Sequence, residues 1–137
     1  MPGFEWALVR VVPRVERGEF VNAGAVVYSR ALDFLAARVE LDEGRLRALD
    51  PSVDVAAVRR HLDAFADLSA GRIDRPGPVP ASVARSTGDR FRWLTAPRSS
   101  VVQTSPVHTG ITEDPAAELD RLVATMVRPP RARPLPA

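Results

Sequence analysis

Residues 4–28 read FEWALVRVVPRVERGEFVNAGAVVY, two apolar stretches around a charged link. In Phe4–Val12 the β-branched and aromatic residues fall on both faces, which suits a central strand buried on both sides. Pro13 stops that strand, because proline has no N–H to give to a sheet ladder. PRVERGEF forms a charged connection, and Phe20–Tyr28 resumes the strand pattern. Gly24, inside this second strand, marks a bulge or a close approach by another backbone. The short link SRALD leads to FLAARVEL at 34–41, where small, apolar and charged residues roughly alternate, as in a third strand. Three consecutive strands with short links predict an antiparallel meander.

Beyond the meander the period changes. Asp42–Leu49 predicts a helical turn, with Leu46 and Leu49 three apart. Asp50 and Pro51 are suited to cap and begin the next helix. On that helix Val55, Val58, Leu62 and Phe65 share one face, and Gly71 fits just past its end. Ala81–Thr87 reads as a short helix, and Phe91–Leu94 and Ser99–Thr104 as short strands. Asp114-Pro115 is a second capping pair, and Leu119, Leu122, Val123 and Met126 then form the buried face of a last helix. RPPRARPLPA at 128–137 predicts a disordered, extended tail. The expected fold is one α+β domain over residues 1–127. Its mostly antiparallel sheet holds the three-stranded meander plus a later strand or hairpin, covered on one face by two main helices.

A chain of 137 residues, 45% apolar and 26% charged, is large enough to bury one core. Its 19 basic residues are all arginine, and 17 acidic residues leave a net charge of +2. With no lysine there is no phosphate-loop lysine and no Schiff base. With no cysteine there is no disulfide, thiolate nucleophile or zinc–cysteine site. His61 and His108 are far apart, so no metal or other cofactor is expected. The N-terminus lacks the pattern of a signal peptide. The apolar runs fall far short of the ~20 residues that span a bilayer. The expectation is a soluble cytoplasmic protein without membrane contact.

Two polar groupings stand out. Arg17 and Glu19 lie two apart at the entrance to the second strand, and Asn22 occupies a strand position that packing alone would fill with Val or Ile. A buried amide without a partner costs roughly 1–3 kcal/mol, so Asn22 needs a hydrogen-bonding reason. The second grouping runs through FRWLTAPRSSVVQTSPVHTG at 91–110 and holds Arg98, Thr104, Ser105 and His108. A guanidinium fork among hydroxyl groups suits phosphate or carboxylate. Two readings stand for both groupings. In one they wall an anion site. In the other Arg17 pairs with a carboxylate, Asn22 ties down a loop and the hydroxyls bond to nearby backbone.

RGEFVNAG at 17–24, FRWLTAPRS at 91–99 and QTSPVHTG at 103–110 resemble, in the same order, the hallmarks of a bacterial domain-of-unknown-function family, DUF3037. The resemblance runs from about Trp6 to Val127. It implies a small stand-alone cytoplasmic protein and, as partner, a HipA-like kinase-fold protein. It supplies no reaction and no catalytic residues. The expected function is a non-enzymatic accessory or binding module that works with a protein partner and takes an anionic small molecule or group. One alternative is a small enzyme or nucleotide-handling protein acting on a phosphorylated substrate, with Arg17 and Arg98 holding the anion and His108 as acid or base. A second is nucleic-acid binding through Arg90, Arg92, Arg98 and the aromatic residues, which the small net charge disfavours.

Overall fold

The structure, a computed structural model, describes residues 1–72 and 86–133. Strands β1 (Gly3–Val11), β2 (Val21–Ser29) and β3 (Phe34–Val39) form the expected antiparallel meander. The free side of β1 is taken by two short antiparallel strands, β4 (Val102–Thr104) and β5 (His108–Ile111). β1 therefore lies in the middle of the sheet, between β2 and the β4/β5 pair.

Helices cover both faces, not one as expected. Ala7, Val9 and Val11 of β1, with Val26 and Tyr28 of β2, pack against α1 (Glu43–Leu49), α2 (Val55–Ser69) and α3 (Thr87–Thr95) through Leu46, Val58, Leu62, Phe65, Phe91 and Leu94. Phe4, Leu8, Ala25 and Val27 point the other way. They meet α4 (Pro115–Leu122) and the π-helical turn that continues it, Val123–Val127, through Leu119, Leu122, Val123 and Val127. Two apolar sheet faces each need a cover, so the meander itself demands three layers.

Gly24 does what its position in β2 suggested. A Cβ there would lie 2.5 Å from the Arg38 carbonyl oxygen and 3.2 Å from the Val39 Cα. The pairing with β1 slips beside it: Val9 faces Gly24, but Arg10 faces Asn22. Ala23 is the extra residue of a β-bulge. Its insertion reverses the alternation, so Val21 enters the core below α1–α3 while Asn22 turns toward the α4 side.

Three helix starts use an aspartate. Asp42 accepts from the Arg45 N–H (3.0 Å), Asp54 from Ala57 (3.0 Å) and Asp114 from Ala117 (3.1 Å), with Pro115 in the first turn of α4. The cap of α2 is thus Asp54, not Asp50. The Asp50 carboxylate is occupied earlier, accepting from the Ser52 N–H (3.1 Å) and hydroxyl (2.8 Å), which turns the chain before the helix begins. Gly71, at φ +77°, follows the end of α2 as expected.

FRWL is helical, not a strand. The Ser86 hydroxyl caps α3 by accepting from Asp89 N–H at 3.0 Å, and Phe91 and Leu94, three apart, are its buried residues. The alternation of Arg90 and Arg92 with Phe91 and Trp93 is incidental to this three-residue spacing. Residues 81–85 of the helix expected at Ala81–Thr87, and residues 134–137 of the expected tail, lie outside the described residues. Met126, expected on the buried face of the last helix, is instead exposed, and Val127 is buried in its place. The wider π turn shifts the helical phase at this point.

Candidate functional site

The bulge and the π turn meet at one end of the sheet. α4 and the π turn pack on β2, and α4 also on β3. Toward β1 and the β4/β5 pair, the same face carries Trp6, His108, Arg10 and Gln103, all partly or fully exposed. Arg10 faces Asn22 on one side and Gln103 on the other, giving a polar row across three strands. The Arg10 guanidinium lies over the Phe20 ring, 4.2 Å from its centroid. Asn22 Nδ2 donates to the Met126 carbonyl at 3.1 Å, which fixes the orientation of its amide. What remains is unmatched: Arg10 Nε and Asn22 Oδ1 are both buried, and neither has a hydrogen-bond partner. Phe20, beneath the Arg10 guanidinium, and Met126, whose carbonyl holds Asn22, are each 43% exposed.

The residues singled out from the sequence fall in several places. Arg17 and Glu19 pair with each other in the exposed β1–β2 connection, and the Glu19 carboxylate, as hydrogen-bond partner and charge, pushes the guanidinium pKa up. Arg17 also lines a cleft of about 460 Å³ with Arg14, Glu16 and Asp50, where Arg14 reaches Asp50 at 3.4 Å. Arg98 donates to the Leu94 carbonyl (3.3 Å) and to that of Trp93, closing the C-terminal end of α3, and its guanidinium lies over the Trp93 ring. Ser105 joins the strands: its N–H donates to Leu8 O and its hydroxyl accepts from Leu8 N–H, both at 2.8 Å. Thr104 faces Val9, on the side of the sheet below α1–α3. His108 stacks on Trp6, with ring centroids 4.4 Å apart.

Arg17, Arg98 and His108 thus each engage a different neighbour, and no contact joins them. Arg92 forms a two-pronged pair with Glu5 at 2.9 Å for each bond, with the Glu5 carboxylate holding the guanidinium pKa up. Phe91 is fully buried and stacks on Tyr28 at 5.1 Å, so it presents no ring to a base. A second cleft, about 580 Å³, lies at the Gly3–Glu5 end of β1, with Tyr28, Arg30 and Thr109 among its walls. Among the described residues no three His, Cys, Asp or Glu side chains gather as a metal ion would need. Nor is any helix among them long and apolar enough to cross a membrane.

Of the predicted residues, the structure places Asn22 in this polar row. Arg10 was missed, although one signal was present: a charged residue between Val9 and Val11 in a strand read as buried on both sides. Phe20 and Met126 were read as strand and core.

Neither a curated protein nor a solved structure matches this chain. A family described as a protein of unknown function does match, over residues 6–127, which include the whole sheet from Trp6 onward, the bulge and the π turn. On that match the chain belongs to the DUF3037 family.

Proposed function

We propose that this protein is a non-enzymatic accessory module that holds a protein partner on the part of the α4-side sheet face that α4 leaves open. One observation carries the reading. The Arg10 guanidinium lies over the Phe20 ring on this face, and Phe20 and Met126 are each 43% exposed. Arg10 has no carboxylate partner among the described residues, which favours a ligand carrying negative charge. Aromatic, methionine and arginine side chains in one patch are the usual chemistry of a protein-binding surface.

The partner implied by the family resemblance is a HipA-like kinase-fold protein. The test mixes the two purified proteins at about ten times the expected micromolar Kd and follows sedimentation. A complex is expected, weakened at least about ten-fold by Arg10→Ala together with Phe20→Ala. No complex, or one unaffected by both substitutions, refutes the reading.

A further inference from the structure

The end of β1 opposite Arg10 holds the cleft of about 580 Å³, within the ~300–1,000 Å³ range of small-molecule sites. Strand register puts Tyr28, Glu5 and Thr109 in one row across β2, β1 and β5, and the pair between Glu5 and Arg92 sets that row on the α3 side of the sheet. Gly3, two residues before Glu5, lies on the same face and adds no side chain to the floor. A Cβ there would have the Gly110 carbonyl oxygen as its nearest neighbour beyond the adjoining residues, at an ordinary 3.8 Å. Arg30 stands at the rim, in the turn after β2, and that turn is anchored. The buried Ser29 hydroxyl donates to the Gly3 carbonyl at 2.9 Å and accepts from Leu32 N–H at 3.4 Å, and Asp33 N–H donates to Arg30 O at 3.2 Å. Two charged groups line the cleft, and they differ. Glu5 is matched by Arg92 through two bonds of 2.9 Å. The Arg30 guanidinium has no carboxylate or carbonyl partner among the described residues. The rest of the wall is mostly apolar, with Tyr28 and Ala31 on the Arg30 side.

We propose that this cleft binds a small organic acid with one carboxylate and an apolar body. The carboxylate lies on the edge of the Arg30 guanidinium, whose planar fork matches it. The body lies over Gly3, between Tyr28 on one side and Thr109 on the other. Those walls stand two strand spacings apart, about 10 Å, which leaves room for a ring. Charge selects against a phosphate. A dianion would meet one uncompensated cation and, beside it, the Glu5 carboxylate. The anchored turn holds Arg30 at the rim before any ligand arrives, so less ordering is lost on binding. The cleft lies at the other end of β1 from Arg10 and Phe20 and on the other face of the sheet, so it is separate from the protein-binding surface.

The test titrates the full chain, labelled with ¹⁵N, with four probes: sodium phenylacetate, neutral phenylacetamide, phenyl phosphate and sodium acetate. Phenylacetate is expected to shift the amide signals of Gly3, Glu5, Thr109 and Gly110 with a Kd of about 1 mM. It should bind at least about five-fold more tightly than each of the other three. Arg30→Gln should remove at least about five-fold of that affinity. Arg60→Gln, which deletes the same charge from an exposed position on α2, should leave it unchanged. Gly3→Leu should abolish binding by filling the floor. Retention of the remaining amide signals shows that each variant is folded, and Arg30→Gln decides the matter if Gly3→Leu is not. Phenylacetamide or phenyl phosphate binding as tightly as phenylacetate, shifts spread over the surface instead of gathered at the cleft, or affinity that survives Arg30→Gln overturns the assignment.

Discussion

Replacing Gly24 by alanine tests the geometry on which the Arg10–Asn22 pairing depends. In an open strand this change stabilises a protein by about 0.4–1 kcal/mol, because it reduces the freedom of the unfolded chain. Here the added Cβ would lie 2.5 Å from the Arg38 carbonyl oxygen and 3.2 Å from both the Val39 Cα and Cγ1. Two of these are backbone atoms of a paired strand, so they cannot swing aside as a side-chain tip would. β3 must move away from β2 at the bulge. Overpacking of this kind costs 1–3 kcal/mol and sometimes more; contact with backbone puts it at or just above the top of that range, for a net loss of about 2–3 kcal/mol. Unfolding entropy near 2.1 cal/mol/K per residue gives ~0.29 kcal/mol/K for 137 residues, so Tm should fall by roughly 7–10 °C. Urea unfolding followed by tryptophan fluorescence, with calorimetry for Tm, measures both quantities. Gly44→Ala is the control: in α1 the nearest atom to its Cβ would be Asp42 Oδ1, at an ordinary 3.5 Å. It should stabilise by up to about 1 kcal/mol. A Gly24→Ala protein as stable as its parent would refute the close approach and the bulge geometry built on it.

Phe91→Ala should cost about 3–5 kcal/mol in urea unfolding, since the ring is fully buried and stacked on Tyr28; a loss below 1 kcal/mol would return FRWL to an exposed element. Leu122→Ala, on the opposite face, should cost about 2–5 kcal/mol, and a small loss would argue against a second covered face. Hydrogen bonds from Ser52, reinforced by Arg14, hold the Asp50 carboxyl below the usual carboxylate range, as Arg128 does for Glu40. A lowered folded pKa means stability that is present above the unfolded value of about 4 and is lost as pH falls through the folded one. Asp50→Asn should therefore be less stable than its parent at pH 7, with the gap closing as pH falls below about 4. Urea midpoints at pH 7, 5 and 3.5 check the sign, and a gap that widens in acid would contradict it.

The meander, α2 and the start of α4 were legible because each rests on local chemistry: apolar runs bounded by Pro13 and short links, a regular Val58–Leu62–Phe65 stripe, and the Asp114-Pro115 cap. β4 falls within the strand read at Ser99–Thr104, but α3 and β5 were not legible. Phe91–Leu94 is too short to tell a strand from a helix by period alone, and the deciding signal was the cap at Ser86, outside the quoted stretch. β5, four residues long and largely exposed, exists because β1 offers a free side. In the polar row, Asn22 was visible as a misfit to packing, but its pairing with Arg10 was not. Gly24 marked where a bulge would lie; which face each neighbouring side chain takes depends on the one-residue slip itself. Arg98 and Ser105 looked like site residues because guanidinium and hydroxyl groups serve equally well to finish a helix or stitch two strands.

The ion pairs that tie the layers together are all of one chemical type. Arg92 with Glu5, Arg128 with Glu40, Arg38 with Asp120 and Arg14 with Asp50 each join a carboxylate to a guanidinium. A guanidinium keeps its proton throughout the range in which lysine amines lose theirs. Alkali that would dissolve an ordinary mixed network of surface pairs leaves this one charged on both sides, so the network itself gives way only in acid.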